Sequence, residues 1–165
     1  MAKLKREHII FAASWDGETW EALGKDNDDL SMELNPDTES SKNVLGESTF
    51  THSGYEPEVG VDPYYADPDR TLYEKMLKNA IERKYGDEDI KGQFAICYFD
   101  EANKDLESMT GDAYVQPAYL VPESIGGDTA GAAIPFTVHP VGAPSKKKAT
   151  YVRTGNMLTI AELGG

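Results

Sequence analysis

Residues 26–37, DNDDLSMELNPD, hold the densest run of side-chain oxygens in this chain. Closely spaced carboxylates are what a calcium loop uses. The twelve-residue calcium loop between two helices also needs glycine at its sixth position and glutamate at its twelfth, and both are missing here. Residues 126–133, GGDTAGAA, have the glycine spacing of a phosphate cradle, but no Lys-Ser/Thr pair follows and no helix pattern begins there. The same stretch resembles the Asp-Thr-Gly of aspartic proteases, with alanine in place of the glycine and no second copy. It reads as a flexible turn entering a strand. His8, His52 and His139 lie far apart with no ligand spacing, so each reads as a strand residue and not a metal ligand. Cys97 stands alone in the apolar run QFAICYF and reads as a buried reduced thiol. No G-x-S-x-G elbow occurs. The expectation is a protein that is not an enzyme, with no catalytic residues, cofactor or metal.

The charge is more informative. The chain has 165 residues, 39% of them hydrophobic and 10% aromatic, with a formal charge of −13. That length predicts one domain over residues 1–165 with a substantial core. The negative balance argues against neutralising the phosphates of a nucleic acid and against docking on an anionic membrane. It suits a protein held at high concentration, or a surface that repels nucleic acid. Between residues 26 and 69 twelve acidic residues face one lysine, Lys42. Residues 70–84 reverse the sign, with five basic residues against Glu74 and Glu82. A second basic knot is Lys146, Lys147 and Lys148. One copy could therefore meet another charge to charge. The N-terminal apolar stretch is too short for a signal peptide, and no run is long enough to cross a bilayer. Synthesis and folding in a cytoplasm are expected.

Residues 67–85, DPDRTLYEKMLKNAIERKY, carry the one clear helix pattern. Asp67 suits the cap, Pro68 the first helical position, and Asp69 the positive end of the dipole. Leu72, Met76, Leu77, Ala80 and Ile81 recur at helical spacing, and Gly86 is the expected stop. Most of the rest reads as strand: HIIFAA, LSMEL, ESTFTHSGYEPEVGVD, GQFAICYFD, AYVQPAYLVP, GAAIPFTVHPV, and a C-terminal hairpin over residues 149–160 turning at Thr154-Gly155-Asn156. Pro117 is expected to confine its strand to an edge or a bulge. The sum is seven or eight strands and one helix: mainly β, a sandwich or partial barrel with a flanking α-helix. Residues 35–47 fit neither a core strand nor a helix and read as a long polar loop of the kind that orders against a partner.

The stretch ELNPDTESSKNVLGESTFTHSGYEPEVGVDPYYADPD, residues 33–69, resembles the tail tube (major tail) proteins of tailed bacteriophages and of phage-tail-like particles. The likeness runs on through LYEKMLKNAIERKYGDE. It resumes in GGDTAGAAIPFTVHPVGAPSKKKATYV, where a Gly-Gly-Asp-Thr turn precedes an Ile-Pro-Phe-Thr-Val-His strand. These pieces cover more than half of the chain, whereas residues 103–123 match only loosely.

The resemblance implies a β-sandwich or partial barrel of the tail tube type with one flanking helix. It implies assembly as stacked hexameric rings, in which strands of all subunits close one barrel around a lumen and leave no open sheet edge. Residues 35–47 become an inter-subunit loop through Asn35, Pro36, Asp37, Glu39, Lys42, Asn43 and Leu45. Its acids would meet basic groups such as Lys146, Lys147 and Lys148 on a neighbour. Glu33, Glu47 and Glu58 are the candidates to face the lumen. The implied function is a structural virion protein whose acidic conduit passes DNA into the host without binding it specifically. The implied partners are further copies of the chain, tape measure, terminator and baseplate or tip proteins, and a sheath in contractile particles, with no membrane. The chain would be assembled in the host cytoplasm and reside in the phage tail. The alternative is the tube of a contractile bacteriocin or other phage-tail-like injection particle; a monomeric acidic binding domain and an unrecognised hydrolase stand behind it.

Overall fold

The computed structural model describes residues 5–25, 27, 29–67, 70–100, 102–129, 131–154 and 157–161. Thirteen strands form among them. In chain order they are β1 (Ile9–Ser14), β2 (Glu21–Ala22), β3 (Met32–Glu33), β4 (Pro36–Lys42), β5 (Ser48–Tyr55), β6 (Glu58–Val61), β7 (Lys91–Tyr98), β8 (Ser108–Pro122), β9 (Gly126–Asp128), β10 (Gly131–Ala133), β11 (Phe136–Pro140), β12 (Ser145–Val152) and β13 (Met157–Ala161). Two helices lie between β6 and β7: α1 (Tyr73–Glu82) and the single turn α2 (Asp87–Ile90). The chain is therefore mainly β with one main helix, as its sequence predicts. More strands form than expected because several are only two or three residues long.

Nine strands make one antiparallel sheet in the order β2-β1-β7-β8-β11-β6-β3, with β12 and β13 branching from β8. The branch arises because β8 is 15 residues long and changes partner along its length. Residues 108–115 pair with β12, and residues 118–122 pair with β11. Pro117 lies at the seam between these two registers. It sits neither on an edge nor at a bulge, since β7 runs alongside it. Its carbonyl accepts the Val141 N–H at 2.8 Å, so its N–H-less side faces the gap where no strand asks for a donor.

This split sheet buries two cores. The first contains Phe11, Phe94, Leu120, Phe136 and Val138, with Leu72 and Met76 from the region of α1. The second contains Ala12, Ala95, Cys97, Ala113, Val115, Ala149 and Leu158. Along β7 the side chains alternate between them, Phe94 into the first and Ala95 and Cys97 into the second, which is why QFAICYF reads as an unbroken apolar run. The second core is the inside of a partial barrel formed by β1, β7, β8, β12 and β13. A bridge between Trp20 and Leu158 brings the far edges together. Alanines line this narrow interior, with Ala12 opposite both Ala22 and Ala95. Gly111 is required here: a Cβ would press on the Tyr98 carbonyl oxygen and lie 3.0 Å from the Phe99 ring.

Helix α1 backs the first core. It begins later than predicted because Glu21, and not Asp67, receives its entry. The Glu21 carboxylate accepts the Thr71 and Leu72 N–H groups at 2.9 and 3.4 Å and the Tyr64 hydroxyl at 3.1 Å. Asp67 instead pairs with Lys25 at 3.6 Å; Pro68 and Asp69 lie outside the described residues. The helix ends at Arg83, whose φ of 54° makes it the left-handed cap in place of Gly86. The buried face runs through Leu72, Met76 and Asn79. At about 100° per residue Ile81 lies about 200° past Asn79, on the solvent side, and it is 58% exposed. Asn79 tolerates burial because its amide donates to the Asp89 carbonyl at 3.0 Å.

Candidate assembly surface

The polar segment folds as an arm and not as an irregular loop. β4 and β5 form a two-stranded sheet of their own, in register from Pro36↔Tyr55 to Lys42↔Ser48. The local sequence accounts for it. Thr38, Thr49, Thr51, Phe50 and Tyr55 favour extended backbone. Asn43 closes the turn: its side-chain oxygen accepts the Leu45 and Glu47 N–H groups, each at 3.0 Å. Gly46, at φ 84°, takes the left-handed position. At the base Asn35 also adopts a positive φ, 44°, and its amide donates to the Glu56 carbonyl at 3.0 Å.

The arm has two unlike faces. Opposed residues share a face, so Thr38, Ser40, Phe50 and His52 lie together. The register shift after Asp37 returns Tyr55 to that side, where its ring meets His52 edge-on at 4.7 Å. Asp37, Glu39, Thr49 and Thr51 occupy the other face. Every residue of β4 is exposed, and in β5 only Gly54 is half-covered. The tip presents Val44 with no cover at all and Leu45 at 79% exposure, and Phe50 and Tyr55 are also open. A lone two-stranded hairpin is marginal in water. A hairpin that also leaves its own large apolar side chains uncovered carries the mark of an interaction surface.

The residues singled out from the sequence separate as follows. Asn35 is at the arm's base, Pro36, Asp37, Glu39 and Lys42 are in β4, and Asn43 and Leu45 are in its turn. The loop assigned to residues 35–47 is thus corrected to a strand and a turn. Polar residues make strands readily when neither face is buried, and the alternation that marks a half-buried strand is then missing. Glu33 and Glu58 face each other across β3 and β6. Glu47 is at the arm's tip, about 23 Å away along seven strand residues, so the three lumen candidates do not form one cluster. Lys146, Lys147 and Lys148 lie on β12 against residues 112–114 of β8. Lys146 pairs within its own chain, with Asp112 at 3.7 Å. Within GGDTAGAA, residues 126–128 and 131–133 pair as β9 and β10, and Cys97 is fully buried, where desolvation pushes its thiol up to about 12.

Sequence reasoning missed a concavity of about 610 Å³ between the start of β1, the chain after β2, and the end of β12. Its floor includes Phe11, Leu23 and Leu30, and its rim carries Arg6, Lys25 and Arg153. These residues are scattered over the sequence with no motif spacing, and only the fold gathers them. Among the described residues, no group of three or more His, Cys, Asp or Glu is placed to hold a metal, and no helix is long and apolar enough to cross a membrane.

No protein-family model matches the sequence, and no curated protein sequence matches it. The fold is found among solved structures. A chain described as the sheath/tube terminator of an extracellular contractile injection system, PVC, in the extended state is similar at a TM-score of 0.51 and 12% identity, over 88% of this chain and 97% of that one. A chain of the PVC sheath-tube complex in the extended state gives a TM-score of 0.46 at 12% identity, over 91% and 92% of the two chains. A chain of the anti-feeding prophage cap, the AFP tube terminating cap, gives 0.48 at 13% identity, over 88% and 91%. Those last two likenesses are partial. The first is a likeness of fold: a mainly β chain folded like that terminator.

Proposed function

We propose that this chain is a structural subunit of a phage-tail-like particle, which polymerises through its β4–β5 arm into stacked hexameric rings and so builds the tail tube. The observation that carries this reading is the arm: an unsupported hairpin, marginal in water, leaves Val44, Leu45, Phe50 and Tyr55 exposed, and a second surface that covers them would stabilise it. The fold likeness to a sheath/tube terminator is consistent with it. The role is architectural, with no catalytic step, cofactor or metal. The partners are further copies of the chain, then the terminator, tape measure and baseplate or tip proteins of the same particle, and a sheath if it is contractile. DNA passes through the bore unbound. At a formal charge of −13 per subunit, the wall repels phosphates over about a Debye length, about 8 Å at physiological salt. The mature chain resides in the particle after assembly in the producing cell.

The fold likeness also favours a second reading. On this reading the chain is not the repeating unit but forms the ring that ends the tube of a contractile injection particle, where no genome passes. Negative-stain microscopy of the purified protein at high concentration separates the outcomes. A tube subunit gives stacks of indefinite length, and a terminator gives single rings. Replacing residues 36–55 by a short glycine-serine link is expected to abolish both while leaving the melting temperature within about 2 °C, because no residue of the arm belongs to either core. A wild-type protein that stays monomeric at millimolar concentration defeats both readings.

A further inference from the structure

We infer that the tip of the β4–β5 arm, Val44 and Leu45, seats in the β1–β2–β12 groove of a second copy of this chain. The inference rests on the reading of the chain as a self-assembling subunit and names the receptor for its arm.

Shape, charge and reach all point the same way. The tip offers two uncovered aliphatic side chains on a turn stiffened by the Asn43 hydrogen bonds. The groove, about 610 Å³, offers an apolar floor at Phe11, Leu23 and Leu30. Residues 36–55 carry Asp37, Glu39 and Glu47 against Lys42, three negative charges to one positive. The groove lining reverses this, with Arg6, Lys25 and Arg153 against Glu7, three positive to one negative. Arg6 is already fixed for the purpose: it lies over the Phe11 ring at 5.1 Å and donates to the Leu30 carbonyl at 2.8 Å. Lys25 is held by an exposed pair with Asp67, which at about 0–1 kcal/mol does not prevent it from turning to an incoming carboxylate.

The occupant is another copy because the arm of the same chain does not reach. Leu30 of the groove lies five residues before Asn35 at the arm's base, within about 17 Å of it along extended chain, whereas the paired strands carry the tip about 23 Å outward, where Val44 and Leu45 stand exposed. Folding back would break the β4–β5 pairing. Tip and groove are different patches, so the contact is heterologous. It closes into a ring or continues as a filament according to the rotation it imposes. The second cavity, between α1 and the end of β8, is less complementary, with Arg83 and Lys84 against Glu123.

The test is disulfide trapping in full-length protein whose only other cysteine, Cys97, is fully buried. A size-tagged Val44→Cys chain is mixed with Lys25→Cys chains, or with Lys84→Cys chains as the second-cavity control, and mildly oxidised under conditions where the wild type assembles. The expected result is a mixed disulfide with Lys25→Cys at several times the yield with Lys84→Cys. In parallel, Leu45→Asp is expected to raise the concentration needed for assembly by at least about tenfold, with an unchanged melting temperature. Equal or greater trapping at Lys84 overturns the groove and leaves the self-assembly reading standing. An intrachain disulfide in dilute Val44→Cys/Lys25→Cys protein overturns the second-copy assignment. Failure of the wild type to assemble overturns the underlying reading, and this inference with it.

Discussion

Glu21 leaves water on folding, and it is 6% exposed. Three donors meet its carboxylate, and Arg70 adds a favourable charge, yet desolvation outweighs them and holds its pKa above the ordinary glutamate value. The native protein therefore keeps this proton more tightly than the unfolded chain. The carboxylate's contribution is most favourable below the ordinary glutamate range and declines as pH rises through the raised value. Glu21→Gln keeps an acceptor oxygen for Tyr64 and the start of α1 while removing the charge. Melting temperatures measured from pH 4 to 7 should show the wild type losing ground to the variant as pH rises, with the gap closing at the acid end. Parallel curves would mean that Glu21 is not desolvated. Nothing in the sequence around Glu21 marks this role, since the groups it serves lie 43 to 51 positions away. Cys97, by contrast, is legible, because an apolar neighbourhood in sequence remains one in space.

At the level of elements, strong periodicity was readable and partnership was not. The α1 pattern, the β7 run and the β12–β13 hairpin all follow from their own residues. Whether a given helix position is buried depends on which stripe the sheet selects, and here a hydrogen-bonded Asn79 displaced Ile81 from it. The contrast is measurable. Met76→Asp places a charge at a fully buried site and should cost more than about 4 kcal/mol, a large part of the about 5–15 kcal/mol that holds an ordinary domain. Ile81→Lys should stay within about 0.5 kcal/mol of wild type in chemical denaturation. A destabilised Ile81→Lys would return Ile81 to the core. The arm shows the converse limit. Its strands were hidden because strand recognition leans on one-sided burial, and neither face of the arm is buried.

For the whole molecule, the excess of negative charge opposes the association of copies proposed for the arm. Thirteen net charges per subunit repel over distances that salt shortens from about 30 Å at 0.01 M to about 8 Å at 0.15 M. If the proposed assembly holds, moderate salt should therefore lower the concentration at which it begins, as read by light scattering. Assembly that weakens steadily from 0.01 M salt upward would show that the ion pairs at the contacts, and not the apolar tip, dominate it. The long strand β8 sets a different property. It is hydrogen-bonded to β7 along much of its length, to β12 at one end and to β11 at the other, so the barrel and the helix-backed layer hang on one girder. A pull that separates the two lobes along this strand loads its ladders in shear, and many bonds must yield together instead of peeling one by one. Such a subunit resists a sudden axial jolt far better than two lobes joined by a flexible tether.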